Sequence, residues 1–165
     1  MKKKEEKTNV MRILDQKKIP YTAHFYEGGA GPEGDREYGF HVAQLLGQDV
    51  RRVFKTLVAK GASGGYVVFE VPVAQNLDLK KAARAAGEKS VELLPVSDIN
   101  AVTGYIRGGC SPVGMKKQYP TVFHASALEC PAIFISGGRI GAQVELEPQT
   151  LMALLRATAA DIVAE

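Results

Sequence analysis

The sequence predicts an α+β fold, a single domain in which helices surround a curved, mixed and mostly antiparallel β-sheet or barrel. Three observations carry this prediction. Apolar runs with strand propensity are interspersed along the chain with amphipathic helical segments. Two of those runs, VFKTLVA and YVVFEVPV, are joined by KGASGG as in a hairpin, so the sheet is not purely parallel. A chain of 165 residues, 45% of them hydrophobic, suits one core. Aromatic residues contribute 7% with no Trp, and Gly occurs 17 times, so the core should be aliphatic and its connections tight. This composition excludes collagen-like and disordered chains.

Each element has a local cause. Residues 1–7 form a charged tail, and the domain runs over 8–165. Thr8 is placed to cap a helix with Val10, Met11, Ile13 and Leu14 on one face, Lys17 and Lys18 at its end and Pro20 beyond. A strand fits Tyr21 to Tyr26. Gly28 to Glu37 is acidic, glycine-rich and aperiodic, which predicts a loop, and a short helix around Phe40 to Leu46 ends at Gly47. After the hairpin, Asn76 or Asp78 caps a helix through LKKAARAA that stops at Gly87, and Ser97 caps another in SDINAVTG; the run VELL lies between them. GYIRGGCSPVGMKK is a loop, TVFHAS, AIFIS and IGAQVEL read as strands, and Gly137 and Gly138 turn the last two. Pro148 opens a final helix through QTLMALLRATAADIVA, apolar at Leu151, Leu154 and Leu155.

The formal net charge of +3 says little, but its distribution is uneven: residues 51–120 hold eleven basic against five acidic side chains. A polyanion could find a local positive field there if the fold gathers those residues; an ordinary solvated surface is the alternative. The two cysteines, Cys110 and Cys130, have neither CxxC spacing nor a Cys/His set, so neither a zinc site nor a disulfide scaffold is expected. No stretch approaches the ~20 apolar residues of a membrane span and the start is not a signal peptide, so a cytoplasmic protein is expected.

Lys55 stands in the strand pattern Val53 to Val58, where an ammonium either points into a lined pocket or lets its stem snorkel to water. Gly108, Gly109, Cys110, Ser111, Pro112, Val113 and Gly114 form a small-residue loop flanked by the cations Arg107, Lys116 and Lys117. Such a loop is either a plain turn or a place where a ligand meets the backbone, with a phosphate drawn by the cations. Cys110 could be a nucleophile in that positive field. His24, His41 and His124 are scattered and read as structural or surface residues. Ser136 either offers a hydroxyl or begins a turn.

Taken together, VFKTLV, GYIRGGCSPVGMKK and FISGGRIG, in this order and spacing, resemble the YbaK/ProX family of aminoacyl-tRNA editing enzymes from about Thr8 to the C-terminus. The family's marks are a strand lysine, here Lys55, and a GxxP loop, here Gly109 to Pro112. The resemblance implies a trans-editing deacylase that hydrolyses cysteine misattached to tRNA(Pro), and possibly Cys-tRNA(Cys), with the substrate thiol attacking its own ester carbonyl. It implies Lys55, Gly109 and Pro112 as the catalytic set, with Lys55 holding the terminal adenosine or ester and the loop cradling the aminoacyl group. It further implies Tyr26, Tyr38, Gly108, Cys110, Ser111 and Ser136 as substrate-binding residues. Cys110 is then a loop residue and not the nucleophile. Partners would be the aminoacylated 3′ end of tRNA and prolyl-tRNA synthetase, for a monomer with no cofactor and no metal. The chain departs from the family pattern at Gln143, where an acidic residue is expected, and in the longer 28–37 stretch. Two other functions fit the sequence: a non-catalytic tRNA-binding module, or a deacylase of another small aminoacyl-tRNA such as Ala-tRNA(Pro). A thiol hydrolase using Cys110 is a third.

Overall fold

A computed structural model describes residues 6–27 and 41–165. The loop expected at 28–37, Tyr38 and Phe40 lie outside the described residues. Thr8 caps helix α1 (Asn9–Gln16): its hydroxyl accepts from the Met11 N–H, and Val10, Met11 and Leu14 are buried. The helix ends before Pro20, with Lys18 in the left-handed region at φ 58°. Strand β1 (Thr22–Phe25) follows, then helical residues 41–45 (α2), after which Gly47 has φ 66°. Val50–Arg52 makes one 3₁₀ turn capped by Asp49.

The expected hairpin is β2 (Phe54–Gly61) with β3 (Tyr66–Pro72), in antiparallel register from Phe54 opposite Pro72 to Lys60 opposite Tyr66. Asp78, not Asn76, caps α3 (Leu79–Ala86) by accepting from the Lys80 and Lys81 N–H groups, and Gly87 closes it at φ 71°. Then come β4 (Val91–Leu93) and α4 (Val96–Thr103). Here the cap position is Pro95 with no side-chain hydrogen bond, so Ser97 lies inside the first turn instead of capping it. Pro95 fixes φ at −58° ahead of the first turn, and the first N–H groups of this helix receive no side-chain cap.

The remaining elements are β5 (Thr121–His124), a 3₁₀ segment Ala125–Glu129, β6 (Ile133–Ser136), β7 (Ala142–Leu146), α5 (Pro148–Leu155) and β8 (Thr158–Ala160). The last helix is shorter than the sequence suggests. It stops at Arg156, φ 54°, and the alanines after it pair as a strand alongside β5.

The described strands form two sheets, β1-β7-β6 and β4-β2-β3-β5-β8, the first antiparallel and the second mixed, with β3, β5 and β8 parallel. They do not close into a barrel, but a bridge between Val53 and Phe134 brings the start of β2 beside β6. One core packs α1 and α5 against β6 and β7, with Phe54, Val113 and Phe123 reaching it. A second packs α3 against β2 and β3. The seam between the sheets, at the beginning of β2, is where the polar and glycine-rich segments converge.

Candidate functional site

At this seam lies a cavity of about 730 Å3, part of it open to solvent. Its wall is built from the start of β2 (Phe54, Lys55, Thr56 and Leu57), the end of β6 (Ile135, Ser136), the start of β7 (Ala142, Gln143), Ile99 of α4, and the loop residues Arg107, Gly108 and Cys110. Tyr26, Val42, Val53 and Val73 complete it. Successive strand side chains alternate between faces, so four consecutive β2 residues line the wall with backbone as well as side chains. Lys55 is half-buried and lines this wall.

Of the residues singled out in the sequence, Lys55, Tyr26, Gly108, Cys110 and Ser136 are thus brought together. Gly109, Ser111 and Pro112 are not in the wall; all three are buried behind it. Tyr38 lies outside the described residues. The three histidines do not line the pocket: His24 bonds Glu145 at 2.9 Å, His124 Nδ1 accepts from the Ile162 N–H at 3.3 Å, and His41 is exposed. Among the described lining residues there are two cations, Lys55 and Arg107, and no carboxylate. In a half-enclosed space of lowered dielectric, that balance favours an anionic guest.

The loop behind the wall is braced at several points. The Gly109 N–H donates to Ile106 O at 2.9 Å, so this glycine contributes its lack of a side chain and not a donor to the pocket. A Cβ there would lie 2.9 Å from Arg139 Cα and 3.1 Å from the Ile140 nitrogen. The GxxP loop and the 137–141 turn therefore touch backbone to backbone, which only glycine permits. Gly108, at φ 86°, makes the turn into the wall. The Ser111 hydroxyl accepts from the Val113 N–H at 3.2 Å, within the loop itself. Tyr105 donates its hydroxyl to Val113 O, and burial raises its pKa to about 12, so it remains a neutral donor at physiological pH. Tyr105 is held in turn by Thr103, whose hydroxyl accepts from the Tyr105 N–H at 3.0 Å and donates to Ile99 O at 2.8 Å.

Ser136 begins the turn and lies at the pocket wall. Its hydroxyl accepts from the Gly138 N–H at 3.1 Å, forming the turn, and the residue also lines the pocket. Gln143 is buried and paired with Gln48: Gln48 Nε2 donates to Gln143 Oε1 at 2.6 Å and Gln143 Nε2 returns to Gln48 Oε1 at 3.1 Å. The side chain at the expected acidic position is therefore a neutral amide, fixed by a partner 95 residues away. Thr56, Gln48 and Tyr105 carried no signal in the sequence, because each gains meaning only from a long-range contact. Lys116 and Lys117 are exposed outside the pocket, Lys116 bonding Ala101 O at 3.2 Å.

Known proteins resemble this chain in sequence and in fold. The profile of the aminoacyl-tRNA editing domain matches residues 41–154. A protein of Enterococcus faecalis, provisionally named Cys-tRNA(Pro)/Cys-tRNA(Cys) deacylase EbsC, is 45% identical over 161 residues, 98% of this chain and 96% of that protein. A solved structure provisionally described as a trans-editing enzyme for prolyl-tRNA synthetase superposes with a TM-score of 0.77 at 25% identity, over 98% of this chain and 100% of that one. The solved hypothetical protein APE2540 has a TM-score of 0.84 at 23% identity, over 95% of this chain and 100% of that one, a likeness of fold.

Proposed function

This chain belongs to the aminoacyl-tRNA editing domain family, and from that premise we propose that it is a trans-editing enzyme that removes cysteine misattached to tRNA(Pro). The observation that carries the proposal is the pocket's chemistry. Its described wall holds two cations suited to the phosphate-bearing 3′ end of a tRNA, beside Gly108 and Cys110 of the glycine loop. The Enterococcus relative, named for Cys-tRNA(Pro) and Cys-tRNA(Cys), and the solved trans-editing structure support the same substrate and point to prolyl-tRNA synthetase as the source of the mischarged tRNA. Cysteine and proline are close in size, so a synthetic site that admits one rejects the other weakly, and a second hydrolytic site is the physical remedy.

The lining supports a mechanism in which the substrate supplies the nucleophile. No His, Asp or Glu is among the described lining residues to activate a protein hydroxyl or a water. The cysteinyl sulfur attacks its own ester carbonyl: a C–S bond forms, the C–O bond to the ribose breaks, and the departing 3′ oxygen takes a proton. The cyclic thioester is then opened by water to free cysteine. Lys55 holds the ester or adenosine end, and Gly108 and Cys110 at the wall, braced by Gly109 and Pro112 behind them, fix the aminoacyl group in the folded-back geometry that the attack needs. The acceptor end and not the tRNA body is the recognised part, because a small chain of net charge +3 neutralises few phosphates. The reaction belongs in the cytoplasm, where tRNA is charged, and no helix among the described residues is long and apolar enough to cross a membrane.

The test is a deacylation panel over Cys-, Ala-, Ser- and Pro-tRNA(Pro). Loss of cysteine with slower loss of alanine and serine supports the proposal. Preferential loss of alanine would instead identify an alanine-editing enzyme, and tight binding of tRNA with no cleavage would identify a binding module.

Cys110 lines the pocket, and this favours one rival, a protein thiol as nucleophile. The two mechanisms separate cleanly. With the substrate thiol attacking, Cys110→Ser retains most of the rate on Cys-tRNA(Pro), and replacing the cysteine of the substrate by serine removes it. A Cys110→Ser variant without activity, in a protein with unchanged melting behaviour, would establish the rival.

A further inference from the structure

One group near the pocket is unexplained by any packing or hydrogen bond. Glu70, in the middle of β3, is 0% exposed, and neither of its carboxylate oxygens has a hydrogen-bond partner. The register sets it directly opposite Thr56 of β2, with Phe123 of β5 on its other side. Side chains directly opposite on an antiparallel pair share a face with Cβ atoms about 5 Å apart. The other side chains on that face of the two strands are Phe54, Val58, Val68 and Pro72, with Lys60 and Tyr66 paired at its far end, so the Thr56 hydroxyl is the polar group directly opposite. It is itself shielded from solvent and without a partner, and Thr56 lines the pocket.

Resting on the editing function above, we propose that Glu70 is a positioning residue: its carboxyl orients the Thr56 hydroxyl at the pocket wall. Two orphaned buried polar groups facing each other are a costly arrangement, and each is the other's remedy. A stretch of apolar β-strand would be better filled by Val or Leu if packing were its whole purpose.

The form of the carboxyl decides the polarity of this contact. Burial raises the Glu70 pKa well above 4.5, and the Thr56 hydroxyl opposes that only in part. The titratable side chains on this face are the Cys110 thiol, the Tyr66 and Tyr119 phenols and the Lys60 ammonium. Lys60 is exposed and four residues, about 13 Å, along the strand from Thr56, too far to favour the carboxylate. Burial of Glu70 therefore favours its neutral acid form over the carboxylate. Its O–H donates to Thr56 Oγ, which leaves the Thr56 hydrogen to donate toward an oxygen of the bound ester or ribose. The folded protein holds this proton more tightly than the unfolded chain, so stability falls as pH rises above 4.5 toward the raised value.

The experiment compares wild type, Glu70→Gln and Glu70→Leu in three readouts: kcat on Cys-tRNA(Pro), affinity for a non-hydrolysable cysteinyl-adenosine analogue, and melting temperature. The Gln amide still donates, so this variant is expected to stay within about twofold of wild type, whereas Leu loses about tenfold, the worth of one oriented hydrogen bond. The Leu variant should melt at or above the wild-type temperature, because a buried carboxyl with a single hydrogen bond has been replaced by apolar surface. The ratio of wild-type to Gln activity should fall as pH rises and Glu70 ionises. A Leu variant with wild-type kcat and analogue affinity would overturn the proposal, as would a Leu variant that merely melts lower and loses activity in proportion. If wild type cleaves none of the aminoacyl-tRNAs, the editing function fails, and analogue affinity alone then decides the role of Glu70, with loss in Leu and retention in Gln supporting it.

Discussion

Replacing Lys55 by Ala is expected to lower the rate of Cys-tRNA(Pro) cleavage by roughly 10²-fold or more, while the protein stays folded. The magnitude is that of removing one preorganised charge from a site where charge develops on the departing oxygen. Lys55 is half-buried at the pocket wall, on the second residue of β2, and its neighbour opposite on β3 is Val71. Its strand partner is apolar, so the loss of rate should far exceed any loss of melting temperature. Lys55→Arg should not restore the rate, because a planar guanidinium cannot occupy the position of a compact ammonium on a flexible stem. Single-turnover cleavage with a thermal melt on the same samples checks both halves of this expectation.

The second large effect is expected at Gly109. A methyl group there would sit 2.9 Å from Arg139 Cα and 3.1 Å from the Arg139 carbonyl carbon, both backbone atoms. No rotamer change relieves such a contact, so the GxxP loop or the 137–141 turn must move. Both carry pocket residues: Gly108 and Cys110 on one, Ser136 at the foot of the other. Displacement on the order of 1 Å at a positioned site costs about 10²-fold in rate. Overpacking of a buried backbone contact costs roughly 1–3 kcal/mol. Gly109→Ala should therefore lose activity and also melt several degrees lower, unlike Lys55→Ala. Measured kcat and melting curves for the two variants distinguish a lost charge from a lost fit.

Much of this architecture was legible where a single side chain or short pattern determines local structure. Thr8 before an apolar stripe, Asp78 before LKKAARAA and the KGASGG connection all act within a few residues, and α1, α3 and the β2–β3 hairpin follow from them. Lys55 drew notice because an ammonium among Val, Phe and Leu needs a reason. The C-terminal strand was illegible for the opposite cause. Thr158, Ala159 and Ala160 have helix-compatible composition, and what makes them a strand is pairing with Val122, Phe123 and His124 across the domain. The same holds in the site. Gln48 and Gln143 define each other, and the backbone approach that requires Gly109 involves a turn 30 residues later. Glu70 left a faint trace. Period-2 alternation places it on one face with Val68, where an acid should not stand unless it has work to do.

The most direct measurement is the decay of Cys-tRNA(Pro) under single-turnover conditions with wild-type protein, with Lys55→Ala and with buffer. The account predicts rapid loss of cysteine with wild type and near-buffer decay with Lys55→Ala. Equal decay in all three would contradict it.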